Sequence, residues 1–416
     1  MRSGASRAAH DWGDALVAVL AGVAAMAVTA ALGLWAAGAA DLPEGAFPRV
    51  VAAVLVMAAG GSVALSGDAG VFAGTDAELT VMPLSVTLAG ALTVGALFLR
   101  PLRHHAVTGA GELLGRVART AVLWLAALAV LAVLARHTFS LTPADTPGEI
   151  LDFLGATPTL GFRADLGPTL LFGLPWILGV LLIALLVSRA AALPARLLRY
   201  QEPVRPAASA MLLLVLAYVL VALVVALVVA AGRGRAADTL AVILLGLPNV
   251  AWIALGTGIG GAWDGKVEGP FGLPMPRVLD AVMRGSQEAR VDVRALAEQD
   301  ARAWWLIPVA AALLLAAAFM TAVRSSTRVR VWQHAVHLGV AFALTMLVVG
   351  PVTHVSARYG LSMLIIGDID AFSGEVVLRP HVWTTAGLAL GWGLVAGALG
   401  GLLARPVRRR GEVRTE

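Results

Sequence analysis

The residues whose types could bind a polar ligand fall into two groups, each beside an interrupted apolar run: Ser62, Ser66 and Asp68, then Asn249, Asp264 and Lys266. Hydroxyl, amide and charged groups in such places can line a pathway for a solute within a membrane. They could equally serve as caps or belong to solvated loops, where an exposed ion pair contributes only about 0–1 kcal/mol. We predict that these six residues form a cavity or gate, and that Asn249 either caps a helix break or touches a substrate.

A second set of charged residues recurs at a fixed spacing. Asp152 and Arg163 are followed 216 residues later by Asp368 and Arg379. Both sets lie in long polar stretches between apolar runs. We predict structural ion pairs that hold two hairpins over the membrane surface, with ligand binding as the alternative.

The glycines of Gly256-x-Gly258-x-x-Gly261 match the spacing of a dinucleotide-binding loop. That loop requires a preceding strand and a following helix. Here the glycines end an apolar segment and precede a polar one. The pattern therefore favours close helix packing or a turn, and no cofactor is expected.

Catalysis is disfavoured by what the apolar segments lack. The chain has no cysteine, and no Asp, Glu, Lys or Arg lies inside any apolar segment. Proton pumps and intramembrane proteases use ionisable or nucleophilic groups at that depth. We predict a protein that is not an enzyme and has no catalytic residue, metal site or cofactor.

The composition explains why these residues must be placed by membrane helices. Of the 416 residues 59% are hydrophobic and 14% charged, against about 25% charged in typical soluble domains. The basic residues are 30 arginines and Lys266, in short clusters without interleaved aromatics, so nucleic acid is not an expected partner. The expected surroundings are a lipid bilayer, and no protein partner is indicated.

Ten apolar segments stand out, and about 20 helical residues span a bilayer core. They are residues 15–37, 50–65, 79–99, 120–135, 168–187, 207–231, 239–261, 304–323, 333–352 and 382–404. Segment 50–65 is short and ends at glycines, while Gly246-Leu247-Pro248-Asn249 interrupts segment 239–261. We predict an all-α bundle of about eight full spans plus two short or broken, re-entrant helices.

The arginine distribution predicts the orientation, because cytoplasmic loops are enriched in basic residues. If segments 50–65 and 239–261 return to the outer side, 18 of the 31 basic residues lie inside, and 20 of the 26 carboxylates lie outside. We predict a multi-pass protein of the bacterial cytoplasmic membrane with both termini cytoplasmic.

Shifting the chain against itself by 216 residues aligns Trp176 with Trp392 and Thr169 with Thr385. The broken helices match at a different shift, near 190, which aligns Ala64 with Ala254. We predict a tandem duplication of five elements plus five. Residues 1–200 would form one membrane repeat, and 201–416 a second with an extracytoplasmic amphipathic insertion at 262–303.

Short motifs resemble the streptophobe family. They are Gly60-Gly61-Ser62-Val63, Ser66-Gly67-Asp68, Met82-Pro83-Leu84, Phe98-Leu99-Arg100, Leu247-Pro248-Asn249, Trp263-Asp264-Gly265-Lys266 and Ala301-Arg302-Ala303-Trp304. The resemblance implies a multispanning membrane protein of high-GC bacteria and carries over no catalytic residues.

Three functions agree with this sequence. The first is a non-enzymatic integral membrane protein with a central site at the broken helices. The second is a permease or channel for a neutral or weakly polar small solute, which predicts that Ser62, Ser66, Asn249 and Thr257 converge on one cavity. The third is a membrane scaffold that presents acidic outer loops to a partner and packs tightly at the same place.

Overall fold

The computed structural model describes residues 2–42, 45–68, 74–103, 109–140, 159–188, 198–233, 236–268, 277–284, 289–325, 329–363, 367–368 and 374–406. The helices within these ranges are α1 (Arg2–Ala36), α2 (Phe47–Ala58), α3 (Leu84–Leu99), α4 (Ala110–Leu134), α5 (Leu166–Val187), α6 (Leu198–Arg233), α7 (Ala236–Gly258), α8 (Arg277–Arg284), α9 (Val293–Gln299), α10 (Leu306–Arg324), α11 (Val331–Val352) and α12 (Val382–Leu403). Eight of them are long and apolar enough to cross a bilayer. The predicted helical membrane bundle is therefore confirmed, and the chain is a multispanning membrane protein.

Within the described ranges, nine strands form an antiparallel sheet that the sequence did not predict. The strands are β1 (Val63–Asp68), β2 (Gly74–Val81), β3 (Arg136–Ser140), β4 (Thr159–Ala164), β5 (Trp263–Val267), β6 (Ala289–Val291), β7 (Val355–Met363), β8 (Gly367–Asp368) and β9 (Gly374–Pro380). Their order is β3-β4-β1-β2-β7-β9-β5-β6, and β8 pairs with β7. One sheet thus contains strands from both ends of the chain.

Some residues that the apolar segments predicted to be helical form strands instead. Gly60 adopts a left-handed φ of 92° and ends α2, so Val63–Asp68 is strand rather than the end of a helix. Strand β2 likewise takes Leu79 to Val81, and α3 starts after Pro83. The predicted segments 50–65 and 79–99 therefore contain shorter helices than expected.

The predicted break in segment 239–261 is wrong. Helix α7 runs through Pro248 and ends only at Gly258, where Gly260 has a φ of 90°. Proline removes one hydrogen bond from a helix, but a helix held by neighbouring elements can absorb that loss. The side chain of Asn249 bonds to another helix instead of capping a break in α7.

Buried residues form separate cores in the two halves. One membrane core lies between residues 19 and 185, and the other between residues 210 and 396. Trp124 and Trp176 stack in the first, with ring centroids 4.6 Å apart. Two smaller cores lie under the sheet, one beneath β1 and β4 and one beneath β5, β6 and β9.

The described residues of the insertion at 262–303 include the strands β5 and β6, which the sequence did not predict, and the short helices α8 and α9. Met283 of α8 is buried against Trp263 and Val291, and Leu296 of α9 packs on the same core. The insertion therefore packs on the protein's own sheet.

Candidate functional site

Two glycine turns connect a helix to the sheet in the same way. At the end of α2 the amide of Gly61 donates to the carbonyl of Val56 at 3.0 Å, and at the end of α7 Gly261 donates to Gly256 at 2.8 Å. A Cβ on Gly61 would lie 2.9 Å from Thr169 Oγ1, and one on Gly261 would lie 2.8 Å from Thr385 Oγ1. Each glycine turn therefore packs against the N-terminal end of a later helix, α5 or α12. The backbone approaches the threonine of that helix so closely that only glycine fits.

The predicted residues of the first turn lie on or beside β1. Ser62 is half-buried just before the strand, whereas Ser66 lies on its exposed face, where its main chain pairs with Asp76 and Gly161. Asp68 ends β1 opposite Gly74. Ser66 therefore points to the face of the sheet away from the helices.

The side chain of Asn249 forms hydrogen bonds to two backbone groups. Its Nδ2 donates to the carbonyl of Met82 at 2.8 Å, and its Oδ1 accepts from the amide of Leu84 at 3.0 Å. These groups flank Pro83, where β2 gives way to α3. Asn249 thus caps a helix, as one of its two predicted roles required, but the helix is α3 of the other half.

The four polar residues predicted to line a pathway have separate roles. Thr257 is buried, and its Oγ1 donates to Ile253 of its own helix at 2.8 Å. Eight residues separate it from Asn249, or about 12 Å along a helix. With Ser66 on the far face of the sheet, Ser66, Asn249 and Thr257 have no common ligand in this arrangement.

Asp264 and Lys266 both lie on β5 but contact different groups. Asp264 Oδ1 lies 2.7 Å from Nε2 of His381, while Lys266 Nζ lies 3.0 Å from Glu268 and 3.6 Å from Glu375. The hydrogen bond to Glu268 raises the pKa of Lys266. Asp264 and Lys266 thus contact neighbouring side chains and not each other.

Glu375 lies on β9, beside β7, the strand that borders the first half. It accepts a hydrogen bond of 2.7 Å from Arg358 Nε, and this bond lowers the pKa of the Glu375 carboxyl. Arg358 lies on β7 opposite Glu78 of β2, so opposite charges alternate across the junction. This row of charges lies on the exposed face of the sheet.

The repeated arginines occupy matching places in the sheet. Arg163 on β4 lies opposite Ala64 on β1, and Arg379 on β9 lies opposite Asp264 on β5. Asp152, predicted to pair with Arg163, lies outside the described residues. Asp368 is in β8 opposite Ser362, and its pairing with Arg379 stays a prediction.

Sequence reasoning missed three buried polar groups near the end of α7. Tyr218 OH, Trp263 Nε1 and Thr385 Oγ1 are enclosed and make no hydrogen bond. Trp263 contacts Gly256, and Thr385 contacts Gly261. The match of Thr169 with Thr385 was the one available signal, because it placed both threonines at equivalent turns.

The glycines that resemble a dinucleotide loop serve packing. Gly256 lies against Trp263, and a Cβ on Gly258 would lie 2.6 Å from the carbonyl of Leu306. They end a helix and lead into a strand, which is the reverse of the order that a nucleotide loop needs. Within the described ranges, no three His, Asp or Glu side chains lie close enough together to hold a metal ion.

Comparison of this chain with protein-family models, curated proteins and solved structures found no match. Chemical roles for its residues therefore depend on the geometry described above.

Proposed function

We propose that the chain is a non-enzymatic protein of the bacterial cytoplasmic membrane that presents its sheet on the outer side as a binding platform. The observation that carries this proposal is one exposed sheet face, with charged side chains on strands from both halves, above a helical membrane base. This is the scaffold interpretation, with the strand face rather than acidic loops as the binding surface. We also propose membership of the streptophobe family, on the motifs named above.

The proposed topology follows from the number of membrane crossings between strands of the sheet. Strands of one sheet lie on one side of the membrane, so the chain crosses an even number of times between β4 and β5. Three apolar helices, α5, α6 and α7, occupy this interval. One of them must therefore stay on the side of the sheet.

Contacts of α7 with residues beside the sheet support the proposal that α7 is that helix. The carbonyl of Ile243 accepts a hydrogen bond from Ser85, in the first turn of α3, and Gly258 packs on Leu306, the first residue of α10. Both partners adjoin the sheet. Helix α2 has 12 residues, or about 18 Å, and is too short to cross. The other seven long apolar helices, α1, α4, α5, α6, α10, α11 and α12, would cross. The shorter α3 would cross with α4, because the chain must also cross an even number of times between β2 and β3, where these two helices lie.

This topology puts both termini opposite the sheet. The same side then carries 18 of the 31 basic residues, which supports a cytoplasmic location for it. The sheet would face outward with 20 of the 26 carboxylates.

A tandem duplication is part of the proposal. From α1 to α5 the elements follow the order helix, helix, strand, strand, helix, helix, strand, strand, helix. The same order recurs from α6 to α12 if α8, α9 and β8 are set aside. The strand orders β3-β4-β1-β2 and β7-β9-β5-β6 also correspond. The two glycine turns match at a shift of 200 residues, which replaces the shift near 190 that the sequence suggested.

The permease or channel is the second candidate, and the unpartnered groups of Tyr218, Trp263 and Thr385 favour it. A small neutral solute that forms hydrogen bonds would satisfy these groups near the end of α7. Against a pathway, Asn249 and Thr257 are already bonded to the backbone.

The absence of cysteine allows one experiment to test both orientation and platform. Single cysteines at Ser66 on β1 and Ala110 at the start of α4 are treated in intact cells with a membrane-impermeant maleimide. Ser66→Cys should react and Ala110→Cys should not. A thiol-directed photocrosslinker at Ser66 should then give a discrete protein adduct, whereas Leu399→Cys on the exposed face of α12 should give none.

The reverse labelling pattern would contradict the topology and with it the platform. Correct labelling without an adduct at Ser66, together with proteoliposomes that swell in isosmotic glycerol, would favour the permease.

A further inference from the structure

Arg136 and Arg163 face each other on neighbouring antiparallel strands, in the type of cross-strand pair that brings Cα atoms closest together. Arg136 of β3 pairs with Arg163 of β4, and the amide of Ala164 donates to the carbonyl of Ala135 at 3.0 Å. Hydrogen-bonded and non-hydrogen-bonded pairs alternate, so the arginines form a non-hydrogen-bonded pair, for which Cα atoms are about 4.5 Å apart. Both side chains are exposed on the same face.

No carboxylate of the described residues lies within ion-pair distance of either arginine. On its other side Arg163 faces Ala64, which has no charge to offer. Asp165, also exposed, is the nearest acid along the chain. Like charges directly opposite each other destabilise a sheet, so an anion bound between them would stabilise this one.

The position of the pair in the fold suggests which anion. Arg136 comes two residues after the end of α4, and Arg163 comes three residues before the start of α5. The adjoining helix surfaces are apolar and exposed, with Leu134 at 53% and Leu171 at 70%. A positive pair just beyond lipid-facing apolar side chains lies at the level where lipid phosphates are found.

The corresponding place in the second half lacks this excess of charge. Arg379 there lies opposite Asp264. His354 corresponds to Arg136, and its Nδ1 donates a hydrogen bond to the carbonyl of Leu378 at 3.1 Å. Burial lowers the pKa of His354, which disfavours its positively charged form. The excess is therefore a particular feature of β3 and β4.

We propose that Arg136 and Arg163 bind the phosphate of an anionic glycerophospholipid in the leaflet on the side of the sheet. Two guanidinium groups offer paired donors that match phosphate oxygens. The acyl chains would lie on the exposed apolar surfaces of α4 and α5. The proposal depends on α4 and α5 spanning the bilayer and is independent of the platform function.

Thermal unfolding of the full chain in detergent tests this site. Phosphatidylglycerol added to the wild type should raise the unfolding temperature, and phosphatidylcholine should raise it much less. The double variant R136Q/R163Q should need at least about tenfold more phosphatidylglycerol for the same shift. The matched control is R379Q, at the same register in the second half, and it should respond as the wild type does.

Equal shifts for R136Q/R163Q and the wild type would overturn the proposal, as would equal shifts for the two lipids. If the double variant does not fold, R136K/R163K replaces it. Lysine keeps the charge but lacks the planar fork, so this variant should show a reduced preference for phosphatidylglycerol. An unchanged preference would count against binding by these residues.

Two further arms distinguish the other sources of negative charge. Glycerol 3-phosphate alone should give no shift, and a shift as large as that of the lipid would mean a free-phosphate site. The wild type is also compared with the Asp152→Asn variant. If only the variant responds to phosphatidylglycerol, Asp152 is the partner of the arginines and the lipid proposal is wrong.

Discussion

Helices α2 and α7 hold the same place in the order of elements, yet α2 has 12 residues and α7 has 23. Each ends in a glycine turn and leads into a strand. Helix α2 serves only the first half, whereas α7 extends back to it through Ile243 and Asn249. The extra length of α7 therefore provides a contact with the other half, for which α2 has no equivalent.

Alanine at the two glycine turns should show the largest difference between the halves. A Cβ on Gly261 would lie 2.7 Å from the carbonyl oxygen of Gly256, whereas the closest atom to one on Gly61 is a methyl of Val56, at 2.5 Å. A valine side chain can rotate and a helix carbonyl cannot. Within the usual 1–3 kcal/mol for overpacking, G261A should cost about 3 kcal/mol and G61A about 1.

Unfolding of both variants in detergent by denaturant measures these costs. Gly387→Ala on α12 is the control, because a Cβ there has no atom within 4 Å. A cost for G61A that equals or exceeds that of G261A would show that the first turn is the less adaptable one.

Loss of the Asn249 side chain tests the contact between the halves. N249A removes two hydrogen bonds and leaves the backbone around Pro83 unpaired, at an expected cost of about 1–3 kcal/mol. T257V removes a bond within α7 alone and should cost less than about 1 kcal/mol. The same unfolding assay compares them, and a silent N249A beside a harmful T257V would mean that α7 matters only to its own half.

The charged row across the junction should have the smallest effect. The pKa of Glu375 is lowered in the folded protein, so its ion pair stabilises at pH 7, and this contribution disappears as the pH falls below the ordinary range of glutamate, about 4.3. Because Arg358 is 56% exposed, E375Q should cost less than about 1 kcal/mol at pH 7.

Unfolding of E375Q and the wild type at pH 7 and pH 3.5 provides the measurement. The difference in stability between the two proteins should be smaller at the lower pH. An equal difference at pH 7 and pH 3.5 would assign the effect of Glu375 to packing.

The sequence predicted the elements whose signal is local. Apolar length identified the long helices, and the 216-residue shift aligned Thr169 with Thr385, each of which lies in the first turn of a helix. The strands escaped detection because Val63 to Leu65 and Leu79 to Val81 are as apolar as the helices beside them. Their partners also lie far away in the chain, as with Val81 and Val355. Asn249 likewise suggested a cap, but nothing local indicated that the capped helix would be α3.

The seam between β2 and β7 has a consequence for synthesis. Val355 follows its partner Val81 by 274 residues, which a ribosome needs about 14–55 s to add at 5–20 residues per second. During that time the edge of β2 is open to any other strand. The first half therefore has an unprotected sheet edge during that time, and a nascent chain stalled before β7 would be the form most exposed to wrong pairing and quality-control proteases.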